Sequence, residues 1–482
     1  MNFDKDVEAF IKDICKELIE ENVAIFAGAG LSSPAGFVGW VELLRPIAEE
    51  LGLDIDKEHD LVTLAQFHCN ENGLNRSQLN KRLIEEFSKE AKITDNHKIL
   101  SRLPISIYWT TNYDKLIEES IIAAGKVPDV KYTKEHLSNT KPKRDAIVYK
   151  MHGDVDHPDN AILTRDDYES YHVKMDQYIT ALSGDFVSKT FIFVGFSFTD
   201  PNLDYILSRI RVSYKNSPRR HYCFIKKASI NESELDADFA YRKRRQELFI
   251  GDLKRFNIKA IIVDDYKEIT AILMEIESRY KQKTIFISGA AHEFGSWGED
   301  KSQLFVYNLS KKLIEAGYKI VSGFGLGIGS AVISGALEEI YMNPKQSSNS
   351  QLLLRPFPQQ VLGSASKPEL WKRYREDMIA YAGTAIFLYG NKLEGGKVVL
   401  SSGMRQEFDI AKEKGLFILP IGATGFIAEE IWSEIKSSID HIYEKHKNIE
   451  ELKKLFIAMG DKTAEPEGLT KMIFAFLEKL NG

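Results

Sequence analysis

The strongest constraint on the fold of this chain is a recurring pattern. A short apolar run meets a loop of small or polar residues, and a segment of helical periodicity follows. Val23–Ala27 runs into Gly28-Ala29-Gly30-Leu31-Ser32, and Ile105–Trp109 into Thr110-Thr111-Asn112-Tyr113-Asp114. Ala146–Lys150 precedes His152-Gly153-Asp154, and Thr190–Val194 precedes Gly195-Phe196-Ser197. Tyr222–Lys226 and Ile258–Val263 are further apolar runs. Runs of this length, mostly apolar and separated by helices, predict the buried strands of a mainly parallel sheet with helices on both faces.

A second series begins at Thr284–Ser288 and continues through Lys319–Val321, Leu352–Leu354, Ala385–Leu388 and Phe417–Pro420. At 482 residues the chain exceeds the size at which one core keeps growing. The predicted fold is therefore α/β, with two Rossmann-like doubly wound domains. The charged connection near Arg279–Lys283 sets the expected boundary, giving domains at 1–282 and 283–482. Val7, Phe10, Ile11, Ile14 and Leu18 recur at helical spacing and predict a sheet-covering helix near 4–21. The polar stretches 343–350 and 359–368 predict loops.

Composition narrows the function classes. The net charge is −6, from 64 basic and 70 acidic residues, which argues against a broad electrostatic grip on nucleic acid. Cys15, Cys69 and Cys223 form neither a disulfide framework nor a CxxC pair, so a reducing cytoplasmic setting is expected. The first residues lack the regions of a signal peptide, and no apolar run reaches the roughly 20 residues that span a bilayer. No membrane partner is expected.

In parallel sheets, ligands bind beyond the carboxyl ends of the strands, where all four loops of the first half fall. Gly28 and Gly30 permit close approach to a ligand, and a following helix can aim N–H groups at a pyrophosphate. The strict GxGxxG fingerprint requires glycine at position 33, which is Ser33, so hydride transfer loses support. Asn112 can fix an amide, a ribose hydroxyl or a water, or cap the next helix. His152 can exchange a proton near neutral pH, or serve as a structural histidine. Asp114 can stabilise charge or act as a first-turn helix acid.

In the second half, Ser322-Gly323-Phe324-Gly325-Leu326-Gly327-Ile328-Gly329 precedes a helical run at 331–341, as an anion-cradling loop does. Ser288 and Gly289 can form the opposite wall. Arg375 and Lys392 are candidate phosphate contacts, against an alternative as solvated surface cations. Glu407 is a candidate for ribose hydroxyls, or an ordinary exposed carboxylate.

Gly28–Ser32, Thr110–Asp114 and His152–Gly153 together resemble the ordered motifs of the sirtuin (SIR2) family over roughly residues 1–280. The resemblance implies an NAD-binding glycine loop (Ala27, Gly28, Ala29, Gly30, Ser32), with Asp114 beside it. It implies an Asn112 by the nicotinamide ribose and a His152 acting as general base. It also implies a Gly195–Ser197 loop on the adenosine side. Protein-deacylating sirtuins carry a four-cysteine zinc module and a GIPDFR-like loop, and both are missing here. No zinc is expected. The departures favour transfer of ADP-ribose to water, with NAD+ as substrate rather than cofactor. A protein deacylase and a non-catalytic nucleotide-binding scaffold are the alternatives.

Residues 284–480 are similar to the SLOG superfamily, which is related to LOG phosphoribohydrolases. The stretch Asn391–Lys397 lacks the PGGxGTxxE-type loop of those enzymes. This favours a nucleotide sensor with Ser288, Gly289, Gly323, Gly325, Leu326, Gly327, Arg375, Lys392 and Glu407 as its ligand contacts. The combination resembles ThsA-type effectors of Thoeris antiphage systems. That resemblance implies an NADase activated by a cyclic ADP-ribose-type messenger from a TIR-domain protein, assembled as a homo-oligomer of four or more copies.

Overall fold

A computed structural model of the chain describes residues 3–198, 200–213, 219–230, 234–344, 348–357, 366–439 and 449–481. Most of the predicted loop 359–368, and the centre of the loop 343–350, lie outside the described residues. Of those two stretches, Asn349–Gln351 forms a single 3₁₀ turn, and a helix begins at Lys367. The chain divides into two compact units, residues 1–277 and 278–482, and the division falls inside the helix Lys267–Gln282.

The first unit holds a seven-stranded parallel sheet: β1 (Val23–Ala27), β2 (Ile107–Thr110), β3 (Pro128–Lys131), β4 (Ala146–Lys150), β5 (Thr190–Val194), β6 (His221–Lys226) and β7 (Ile258–Val263). Its order is β3-β4-β2-β1-β5-β6-β7, so the order reverses between β1 and β5. Strand β2 begins two residues later than its apolar run suggests. Ile105 is buried all the same, and its N–H bonds to the Leu103 carbonyl rather than into the sheet. Strand β3 was not predicted. Pro128-Asp129-Val130-Lys131 carries a proline and two charges, and it forms at the sheet edge, where proline is tolerated. The helix expected near 4–21 spans Lys5–Ile19 and is capped by Asp4, whose carboxylate accepts from the Val7 N–H.

The second unit holds β8 (Thr284–Ala290), β9 (Lys319–Ser322), β10 (Leu352–Leu354), β11 (Thr384–Tyr389) and β14 (Phe417–Pro420) in one parallel sheet of order β10-β9-β8-β11-β14. A separate antiparallel hairpin, β12 (Asn391–Glu394) and β13 (Lys397–Leu400), follows β11. Gly395 and Gly396, both at positive φ, make its turn. Both units are thus α/β, with helices flanking parallel sheets.

In each sheet the register lines up the functional loops. Ala27 pairs with Val194 on one side and Thr110 on the other, and Thr110 pairs with Lys150. The loops holding Gly28, Gly195, Asn112 and His152 therefore leave one row of one sheet edge, across the point where strand order reverses. In the second unit Ser288 pairs with Phe387, beside the Ile287–Ser322 pair at the same edge.

Candidate active site and candidate sensor site

The glycines of the first loop have a packing role that sequence reasoning did not supply. The Gly28 N–H bonds to the Val194 carbonyl (3.0 Å), and the Gly30 N–H bonds to the Gly195 carbonyl (2.9 Å). A Cβ on Gly28 would overlap Gly195, and one on Gly30 would lie 2.8 Å from the Gly195 Cα. Gly195 itself sits at φ +66°, where an added Cβ would overlap Leu31. Two backbones therefore cross in contact. The Gly28 and Gly30 N–H groups are therefore not available to a pyrophosphate, because both donors are already engaged. Ala29–Ser32, the helix expected to follow, is a single turn.

Asn112 is placed by this crossing. Its Nδ2 donates to the Gly28 carbonyl and to Ser32 Oγ, both at 3.1 Å. Its own N–H is accepted by Thr110 Oγ1 (2.9 Å), which in turn donates to the Ala27 carbonyl. Asn112 is not the helix cap: Asp114 Oδ1 accepts from the Leu116 N–H at the start of the helix Leu116–Ala123. The second carboxylate oxygen of Asp114 is buried without a hydrogen-bond partner. A pocket opens here, lined by Ala29, Ser32, Trp40, Asn112 and Asp114 among others. Ser197 lies exposed on the β5 loop.

His152, 1% exposed, lies beyond the end of β4 and does not line that pocket. Its Nε2 stands 3.0 Å from Asp200 Oδ2, an ion-pair distance without full hydrogen-bond geometry. Its Nδ1 is buried and has no partner. Other buried histidines have a partner on one ring nitrogen: His68 meets Glu50 (2.9 Å), His97 meets Thr94 (2.7 Å), and His221 Nδ1 accepts from the Phe191 N–H (3.1 Å); His68 Nδ1 and His97 Nε2, like His152 Nδ1, are buried without one.

Sequence reasoning missed Lys150. The side chain is fully buried and donates to the carbonyls of Tyr113 (3.1 Å) and Asp114 (2.6 Å). It also reaches Asp154 Oδ2 (2.5 Å) and Glu118 Oε1 (3.0 Å). Burial alone would lower its pKa. The two carboxylates outweigh that, so the pKa is raised and the ammonium stays charged. Lys150 thereby ties the loop that carries Asn112 to the loop that carries His152. A lysine closing an otherwise apolar strand, Ala146-Ile147-Val148-Tyr149-Lys150, was the available signal.

In the second unit the glycine loop also crosses backbone. A Cβ on Gly325 would overlap the Gly289 carbonyl, and one on Gly327, at φ +83°, would overlap the Ala291 carbonyl. The Ala291 N–H bonds to the Leu326 carbonyl (2.8 Å), while the Leu326 side chain is 76% exposed. A packing requirement thus explains glycines attributed to anion binding alone. Gly323 has a different neighbour: its Cβ would meet the Phe357 ring at 2.8 Å.

Three predicted residues converge beside this loop. Ser288 Oγ donates to Glu407 Oε2 (2.6 Å), and Arg375 Nε lies 3.5 Å from Glu407 Oε1. Arg375 Nη1 donates to Gln406 (3.0 Å), and the guanidinium lies over the rings of Phe357 and Trp371. Neither charge is the exposed surface group that was the alternative reading. Burial raises the Glu407 pKa, opposed by Ser288 and Arg375. Lys392 does not join them; it lies on the hairpin and pairs with Glu394 (2.7 Å). Sequence reasoning also missed Asn391, whose buried amide accepts from the N–H groups of His292 and Glu293 and donates to the Glu293 carbonyl.

Among the described residues no group of three or more His, Cys, Asp or Glu is placed to hold a metal ion. None of their helices is long and apolar enough to cross a membrane.

The fold and its two edges define a class: a SIR2-like domain followed by a SLOG domain. The model of the SIR2-like domain matches residues 106–248, and that of the Sir2- and TIR-associating SLOG family matches residues 268–480. Over 481 residues, all of both chains, the sequence is 53% identical to the NAD(+) hydrolase ThsA of Bacillus cereus (strain MSX-D12). It is 49% identical to the NAD(+) hydrolase ThsA of Acinetobacter baumannii (strain 532279), over 98% of each chain. It is 47% identical to that of Cytobacillus dafuensis, over 91% of this chain and 90% of the relative. The chain belongs to the ThsA family.

Proposed function

We propose that this chain is an NAD+ glycohydrolase whose first unit cleaves the nicotinamide–ribose bond to give nicotinamide and ADP-ribose. The observation that carries the reading is the single register row from which the Gly28, Asn112, His152 and Gly195 loops all leave. Cleavage builds positive charge on the ribose, as in other glycosidic cleavages, and nicotinamide departs neutral, so no strong acid is needed. Asn112, held by the Gly28 carbonyl and Ser32, positions the ribose or the attacking water. His152 accepts the proton of that water. Ala27, Gly28, Ala29, Gly30, Ser32, Asp114, Gly195 and Ser197 form the dinucleotide site. Because both glycine donors are engaged, Gly28 and Gly30 contribute shape more than hydrogen bonds. Three cysteines cannot build a four-cysteine zinc site, and NAD+ enters this reaction as a substrate.

The second unit is the sensor. A cyclic ADP-ribose-type messenger, made by a TIR-domain protein, binds at the edge formed by Ser288, Gly289, Gly323, Gly325, Leu326, Gly327, Arg375 and Glu407; Lys392, paired with Glu394 on the hairpin, stands outside this cluster. The buried Arg375–Glu407–Ser288 cluster supports this, because a guanidinium and a carboxylate suit phosphate and ribose hydroxyls. The match to the Sir2- and TIR-associating SLOG family supports it independently. Activation requires tighter messenger binding to the active arrangement than to the resting one. The protein works in the cytoplasm as a homo-oligomer of four or more copies, and depletes NAD+ in antiphage defence.

The test is NAD+ turnover by the purified chain with and without a panel of cyclic ADP-ribose isomers, with products identified by mass. Free nicotinamide and ADP-ribose that rise with one isomer are expected. Turnover indifferent to every isomer contradicts the sensor assignment, and acetyl-lysine-dependent turnover contradicts hydrolysis as the main reaction.

A further inference from the structure

We infer that Asp200 is a positioning residue for the hydrolysis: its carboxylate fixes the tautomer of His152 so that Nδ1 is the ring atom that takes the proton. The inference rests on His152 being the base, as proposed above.

Asp200 leads into the helix Pro201–Ser213, and its Oδ1 accepts from the N–H groups of Asn202 (2.9 Å) and Leu203 (3.1 Å). The helix start therefore anchors one carboxylate oxygen. The other, Oδ2, faces His152 Nε2 at 3.0 Å and also accepts from the Tyr168 hydroxyl (3.4 Å). A carboxylate only accepts, so Nε2 must carry the hydrogen. In the neutral ring the lone pair then lies on Nδ1, which is buried without a partner. The Tyr168 ring stands edge-on to the imidazole, 5.6 Å between centroids, and limits its rotation. Catalytic contacts are often loose before substrate binds, so the imperfect angle at Nε2 fits a pair that tightens on turnover.

The surroundings leave Asp200 as the charge that His152 meets. Tyr113 beyond β2, and Tyr168 and Tyr171 on the helix Arg165–Lys174, are phenols raised above their usual range by burial, with the charge of Asp200 adding to it. Burial also pushes Asp200 upward. The His152 contact and the two backbone N–H groups more than reverse it, and the carboxyl stays below its usual range.

The step balances. A water oxygen bonds to C1′ of the nicotinamide ribose as the C1′–nitrogen bond breaks, and that electron pair leaves on nicotinamide. The water proton passes to Nδ1, Asp200 stabilises the imidazolium, and the proton is later released to solvent.

Asp200→Asn is a sharp test, because the amide oxygen still caps the helix while the charge is gone. The amide N–H₂ would face Nε2 and force the ring hydrogen onto Nδ1. Turnover should be measured against pH under whichever condition, with or without cyclic ADP-ribose isomers, the wild type is fastest. The expected kcat falls by about 10²-fold or more, with KM within a few-fold. The acid limb of the pH profile moves as well, because the carboxylate beside the ring is gone. Asp200→Ser, also a good helix cap, should show the same shift if Asn disturbs the fold, and Asp200→Glu should restore the limb. Wild-type kcat and an unmoved limb in folded Asn and Ser variants overturn the role of Asp200. If His152→Ala also stays inactive, the reading of His152 as the base survives. If His152→Ala turns over normally, that reading has failed first.

Discussion

The two sheet edges are built alike and finished differently. At each, a glycine loop crosses the neighbouring strand end with no room for a Cβ at the contact. At the first edge polar atoms are left waiting: Nδ1 of His152 and Oδ2 of Asp114 are buried without partners, the latter beside an open pocket. At the second, Glu407 accepts from Ser288 and Arg375 Nη1 donates to Gln406, while Arg375 Nε, 3.5 Å from Glu407, is itself buried without a hydrogen bond. Unpaired buried groups are costly and are kept where chemistry needs them. In the proposed sensor an incoming anion meets Arg375 Nε and exchanges partners with groups already engaged, which makes binding and rearrangement one event.

The comparison breaks most visibly at the first edge. His152→Ala or Asn112→Ala should lower nicotinamide release by about 10²–10⁴-fold with the circular dichroism spectrum retained. Normal turnover in both would remove the site from this edge. Lys150→Met leaves Asp154, Glu118 and two carbonyls without their shared cation. Denaturant unfolding should register a loss of about 3–5 kcal/mol, typical of breaking a buried pair from one side. A loss near zero would mean that Lys150 does not hold the two loops together.

Gly327→Ala probes the second crossing. An added Cβ overlaps the Ala291 carbonyl at a positive φ, so an unfolding cost of about 1–3 kcal/mol is expected, together with a weakened messenger response. A stabilised variant would contradict the close crossing.

The smallest effect is electrostatic and belongs to the first unit. Burial lowers His221 to about 3 and His97 to about 4, the latter despite the charge of Asp114. Unfolded histidines bind protons below about pH 6.5. Between there and pH 4 the unfolded state binds more protons, so stability must fall as pH falls. His221→Asn should flatten that acid limb by up to a few kcal/mol, read from denaturant midpoints at pH 7 and pH 4.5. An unchanged slope would place the acid sensitivity elsewhere.

Sequence reasoning found the features that local chemistry writes plainly. The buried strands were legible because parallel strands are apolar on both faces, and their loops because ligand edges follow strand ends. Strand β3 hid because an edge strand tolerates Pro128 and polar neighbours. The hairpin hid because Lys392, Glu394 and Lys397 mask its alternation. The glycines were read as ligand contacts, since only the folded chain reveals which backbone crosses them. The partnerships of Lys150 with Asp154 and Glu118, of His152 with Asp200 and of Arg375 with Glu407 join different elements, and no spacing rule reports them.

The most direct measurement is nicotinamide release against the concentration of a cyclic ADP-ribose isomer panel for the wild type, His152→Ala and Arg375→Ala. Division of labour between the edges predicts a saturable rise in the wild type with at least one isomer and no release from His152→Ala at any concentration. For Arg375→Ala it predicts an activation curve displaced about tenfold or more to higher concentration, the scale of losing a charge-assisted contact. A wild-type activation curve from Arg375→Ala, or messenger-driven release from His152→Ala, would contradict it.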